Sequence, residues 1–341
     1  MDIDSSKIMN RDNSIDLLRA LGLILVILAH IQPPELLFQI RSFDVVLMVF
    51  LSGMSFGLKP KNISTVKKYF DYTWKRFRKL IIPTWTILVS FFIIFYILKS
   101  IFGFEKIAFT KETYIFSFLL ISGVGIVWVM RIYFCMSLLG PLLEKIPSLS
   151  LKYLFMIPVM AFGYDFLTMK LEMYDSLLVV KMFESIVIYT IGYGYCYFLG
   201  MRFNKYDKVK KFVVLFINLG IFIIFAFISG FSKISEFKYP PRVYYLTYGM
   251  VVTILLYCIA NTRFVEMISK SKIVLFLSQN SLLIYLLHLF PLKMVEFDIV
   301  KIKWGGWMTR YAFVLLSAIV VTVIYNHLKN LIFIICNKKS I

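Results

Sequence analysis

Apolar residues in this chain gather into runs of about 17–25, separated by short polar stretches rich in Lys and Arg, and that is the length needed to cross a ~30 Å hydrocarbon core. The runs fall at approximately 15–33, 36–58, 80–103, 125–143, 153–168, 181–201, 212–231, 243–261, 273–292 and 311–336. Backbone N–H and C=O groups in lipid must be satisfied within the spanning structure, which leaves helices and closed barrels. Barrel strands alternate with period two and are about half as long. The pattern therefore predicts an all-α, polytopic membrane protein of about ten transmembrane helices in one bundle. Residues 1–341 read as a single membrane-embedded domain without a soluble appendage. Segment 59–79, the largest hydrophilic insert, reads as a loop. Segment 104–124 fits least well, because its apolar stretch Tyr114–Ser122 is short and suits either an interfacial helix or the start of a longer fourth span.

Composition agrees with the pattern. Hydrophobic residues make up 60% of the chain and charged ones 17%, where a soluble domain carries roughly a quarter. The net charge of +19 does not point to nucleic acid, because the basic residues sit in short segments between spans. With both termini placed in the cytoplasm, the inner segments hold roughly twice the Lys and Arg of the outer ones, led by 59–79 and 202–211. The expected location is the cell (plasma) membrane. The polar N-terminus lacks the small-residue cleavage site of a signal peptide, so the first run reads as a retained helix. Cys135, Cys196, Cys258 and Cys336 stand singly in four apolar segments and read as packing residues; no metal site is expected.

Ionisable side chains inside a span are costly and therefore informative. Arg19 and His30 are eleven residues apart on the first run, about 20° past three full helical turns, so they share one face with roughly 16 Å between them along the axis. A donor with a phosphorylated head and a long thin arm suits that spacing. Arginine would hold the phosphate and histidine would serve as general base at the reactive end. A snorkelling arginine and a histidine that only bonds to a neighbouring helix fit the same pattern. His288 lies at a comparable depth in the ninth run, with Ser281 on the same face; His327 reads as interfacial. The run Lys75-Arg76-Phe77-Arg78-Lys79 reads both as a positive-inside anchor and as a phosphate patch at the mouth of a site. Glu35, just beyond Pro33-Pro34, is placed to orient the imidazole of His30 or to be a solvated loop acid. Arg131 would hold an acidic acceptor or the thioester region, and Arg41 and Asp44 would neutralise each other at i,i+3.

These residues give the chain a resemblance to the integral-membrane acyltransferases of the acyltransferase-3 group, whose members modify sugars and surface glycans. The matching features are Asp16-x-x-Arg19 followed by His30, Phe50-Leu51-Ser52-Gly53-Met54, and the basic run closing at Pro83. Trp128-Val129-Met130-Arg131 with Pro141, and the stretch Ser281 to His288, also match. Asp44 stands eight residues before Ser52, where the commoner pattern has an acid followed closely by paired aromatics. The resemblance implies transfer of an acyl group, usually acetyl, from cytoplasmic acyl-CoA to a sugar hydroxyl of a surface polysaccharide or glycolipid. Acyl-CoA would be a donor substrate, and no cofactor is permanently bound. By resemblance, Arg19 contacts the donor, His30 is the catalytic base or transient acyl carrier, and His288 shares its cavity. The expected catalytic residues are thus His30, His288 and Glu35, and the donor-binding ones Arg19, Lys75, Arg76, Arg78 and Arg131. The rival reading is a transporter or flippase with histidine proton relays, which calls for inverted repeats or broken spans in matching halves.

Overall fold

The computed structural model describes residues 12–59, 61, 63–146, 150, 154–173, 178–300 and 305–338. It is built of helices, and no strand occurs among the described residues. In chain order they are α1 (Asn13–Ala29), α2 (Glu35–Ile40), α3 (Asp44–Gly57), α4 (Val66–Phe102), α5 (Lys111–Phe118), α6 (Trp128–Glu144) and α7 (Ile157–Glu172). There follow α8 (Leu178–Phe183), which runs through a π turn at Glu184–Ile188 into α9 (Tyr189–Phe203), then α10 (Lys208–Ile228) and α11 (Val243–Ala260). The last are α12 (Arg263–Ser269), α13 (Lys272–Gln279), α14 (Ser281–Leu287), α15 (Leu289–Glu296) and α16 (Trp307–Lys338).

Each of the apolar runs coincides with helix, but ten crossings are not confirmed. Among the described residues, five helices are both long and apolar enough to span a membrane: Glu35–Gly57, Val66–Phe102, Lys208–Ile228, Val243–Ala260 and Trp307–Leu331. The count is six if α13 and the α14–α15 pair, bent by 68°, form one span. α1 and α6 are slightly shorter, at 17 residues each. Segment 104–124 contains only the eight-residue α5, followed by left-handed backbone at Leu120, Gly123 and Gly125.

The expected loop 59–79 is corrected from Val66 onward. Thr65 caps a helix there, its hydroxyl accepting from the N–H of Lys68 at 3.3 Å, and α4 continues for 37 residues to a left-handed Gly103. At 1.5 Å per residue α4 is about 55 Å long, well beyond a ~30 Å hydrocarbon core, so its basic first turns extend past the lipid. High Lys and Arg density disguised a good helix former as a loop.

Two close contacts hold the centre. α3 and α9 meet backbone to backbone: a Cβ on Gly53 would collide with the Tyr197 carbonyl, and one on Gly200 with that of Phe50. α1 packs against α3 and α13, where the Ser278 hydroxyl donates to the Asp16 carboxylate at 2.5 Å. Around these contacts lies a contiguous core that includes Leu23, Ile27, Leu47, Phe50, Phe91 and Tyr193, all almost fully buried.

Candidate active site

α1 carries the axis of the site. Asp12 caps its start by accepting from the N–H groups of Ser14 and Ile15, and Pro33-Pro34 prevents its continuation, so the helix ends with His30 as its last half-helical residue. On the face between, Arg19, Leu23 and Val26 line a cavity of about 460 Å³. Val26, Ala29 and His30 line a second one of about 310 Å³. The two cavities share four buried wall residues: Val26 on α1, Val45 on α3, Val129 on α6 and Tyr285 on α14. A single helix face thus runs from an arginine, through an apolar septum, to a histidine.

The arginine cavity is strongly cationic. Arg19, Lys59, Lys61, Arg76 and Lys79 line it, with no carboxylate among the described residues of its wall, which suits a polyanionic head group. Arg19 is steered into place: its Nη2 donates to the Ser55 hydroxyl at 2.7 Å and its Nη1 lies 3.8 Å from Asp16. The basic run of α4 divides by helical phase. Tyr72, Arg76 and Lys79, spaced i, i+4, i+7, face the cavity, whereas Lys75 and Arg78 are exposed and do not line it.

The structure brings His30 and His288 together, with ring centroids 5.5 Å apart and planes inclined at 37°. His288 is wholly buried at the junction of α14 and α15. Pro291, three residues on, has no N–H for the carbonyl of Leu287 and crowds it, which accounts for the break at this point. The Nδ1 of His288 is bonded to the Tyr285 carbonyl, an acceptor only, so Nδ1 carries the proton. Its Nε2 is buried with no hydrogen-bond partner among the described residues. A neutral imidazole in this tautomer can accept a proton or hydrogen bond at Nε2 but cannot donate there. Tyr285, for its part, donates its hydroxyl to the Ile126 carbonyl.

Other candidates lie elsewhere. Glu35 is exposed, accepting from Gln39 at 2.7 Å and pairing with Lys233 at 3.4 Å, and it does not line the histidine cavity. Arg131 is buried with Nη1 donating to the Leu120 carbonyl at 3.0 Å and its guanidinium over the Tyr189 ring; it lines neither cavity. Its contact holds the left-handed turn at Leu120 against α6. His327 is exposed on α16. Arg41 and Asp44 do pair, at 2.6 Å, and Lys238, absent from the sequence expectations, joins them at 3.1 Å from Asp44. Lys59 and Lys61, which also line the arginine cavity, are not among the expected donor-binding residues, and neither is Lys79, although it belongs to the basic run and a helix over 66–79 puts it in phase with Arg76.

Among known families, residues 12–327 match the model of an acyltransferase domain. No curated protein and no solved structure matches the chain.

Proposed function

The chain belongs to the family of membrane acyltransferases whose model spans it, and on that premise we propose that it moves an acyl group, acetyl by expectation, from acyl-CoA to a sugar hydroxyl of a surface polysaccharide or glycolipid. The observation that carries this reading is the pair of cavities joined through one septum, the cationic arginine cavity on one side and His30, backed by the buried His288, on the other. The nucleotide and phosphates of CoA would sit among Arg19, Arg76 and Lys79, and the thin pantetheine arm would thread past Val26, Val45, Val129 and Tyr285. The thioester then arrives beside His30. The basic mouth faces the cytoplasm in this reading, and the protein sits in the plasma membrane.

His30 removes the proton of the acceptor hydroxyl as its oxygen attacks the thioester carbonyl. The C–S bond breaks, the C–O bond forms, and the proton passes from His30 to the leaving thiolate. The Nε2 of His288 is unpartnered among the described residues and its ring lies 5.5 Å from that of His30, so it is positioned to accept the N–H of His30 as the rings draw closer, which would fix the His30 tautomer with its other nitrogen free for the hydroxyl. Support of the thioester oxygen, a role that needs a donor, does not suit His288 in this tautomer.

The test is acyl transfer to surface glycan, read by mass spectrometry, in cells expressing wild type, Arg19→Ala or His30→Ala at matched levels. Arg19→Ala weakens use of acyl-CoA, and His30→Ala abolishes transfer while CoA still binds. Near-normal acylation by a well-expressed His30→Ala variant would sink the proposal.

A further inference from the structure

The histidine cavity contains charge that the transfer step leaves unused. Arg41, Asp44 and Lys238 all line it, at 2%, 0% and 5% exposure. One carboxylate oxygen of Asp44 accepts from Arg41 Nη1 at 2.6 Å, and the other from Lys238 Nζ at 3.1 Å. With both protonated, Arg41 and Lys238 against one carboxylate leave an excess of one positive charge, and among the described residues lining the cavity Asp44 is the sole carboxylate. A buried charge without a counter-charge is destabilising until an opposite charge meets it.

The arginine also has bonding capacity to spare. Its guanidinium is held flat over the Phe38 ring, 4.1 Å from the centroid, and engages Asp44 through Nη1. Its Nε is buried without a hydrogen-bond partner among the described residues. A guanidinium edge of this kind meets a carboxylate or phosphate in two parallel bonds, and an ammonium alongside adds a point charge. Trp128 and Tyr239, edge to face at 5.4 Å, give the same cavity flat aromatic walls suited to the apolar face of a sugar ring.

We propose that this cavity recognises its acceptor through an anionic substituent, a carboxylate or phosphate borne on the sugar, which Arg41 and Lys238 hold beside His30. The inference rests on the acyl-transfer reading and narrows the acceptor to acidic glycans. Sugar carboxylate and phosphate share the oxyanion chemistry, and the experiment separates them.

The purified protein in detergent is saturated with CoA, which occupies the cationic mouth, and its thermal unfolding is followed with glucuronate, inorganic phosphate or glucose at equal concentration. Glucuronate at tenfold its dissociation constant raises the midpoint by about 2 °C, and glucose does not. A shift with phosphate alone assigns the substituent as phosphate. Lys238→Gln loses the shift and Lys238→Arg keeps it. The proposal is overturned if neither anion shifts the midpoint, if glucose matches glucuronate, or if Lys238→Gln responds like wild type. Should Lys238→Gln fail to fold, the wild-type comparison of glucuronate with glucose still decides. Transfer assayed separately with His30→Ala keeps the two readings apart: lost transfer without anion binding retires this inference alone, and anion binding without any acyl transfer retires the reaction.

Discussion

His288 gives Nδ1 to the Tyr285 carbonyl and leaves Nε2 bare, so substitution can separate orienting a neighbour from taking a proton. Glutamine sets an amide oxygen near the Nε2 position, where it accepts a hydrogen bond but no proton. We expect His288→Gln to keep acyl transfer within about tenfold of wild type, and His288→Ala to lose about 10²–10³-fold. Equal losses in the two variants, at equal expression, would make Nε2 a proton carrier instead of an orienter. The pairing with His30 was only half legible in the sequence. Counting residues put the two imidazoles at one depth, but nothing in a single chain says which helices are neighbours. Lys238 was not legible at all: it lies in a connecting segment, and only the fold carries it to Asp44, which is 194 residues away.

At the scale of one helix, the phase of α4 sorts its cations. Arg76→Gln and Lys79→Gln should each raise the KM for acyl-CoA by about 3–10-fold, the worth of one partly exposed charge-assisted contact, whereas Lys75→Gln and Arg78→Gln should leave it within twofold. Kinetics on the four variants at fixed ionic strength check the pattern. Four equal effects would restore the basic run to a diffuse electrostatic anchor. α3 and α9 make a second prediction, because Gly200→Ala would drive a methyl into the Phe50 carbonyl. It should destabilise by about 1–3 kcal/mol, read as a lower unfolding midpoint in detergent. Gly53 and Gly57, at i and i+4, give α3 a small-residue face suited to close packing, but nothing in one sequence names Gly200 as its partner. The broken α13–α15 segment escaped the sequence reading for another reason. Its hydropathy runs on unbroken through Asn280 and His288, and hydropathy does not register a missing hydrogen bond.

For the whole molecule, orientation is the prediction that matters most. The cations of the arginine cavity and those of 202–211 should lie on one side of the membrane, with the Lys106–Asp298 ion pair, 2.5 Å apart, on the other. Single cysteines at Lys61 and Lys205 should resist a membrane-impermeant thiol reagent in intact cells, and a cysteine at Phe297 should react. Reaction at Lys61 would reverse the orientation and with it the side from which the donor enters. The amount of helix was legible because lipid leaves the backbone few choices. The number of crossings was not, since apolar runs near 17 residues serve equally as short spans and as buried helices packed within the bundle.

Val26, Val45, Val129 and Tyr285 stand between two chambers that lie towards different ends of α1. A protein that passes a chemical group across a bilayer while keeping ions apart needs an insulator at that point, and four buried, mostly branched side chains make one. Each reaction would then be a brief puncture that the substrate itself seals, its slender arm filling the gap that it opens. Trimming one of those valines should therefore do two things together: admit bulkier acyl groups, and let protons leak through reconstituted vesicles at rest.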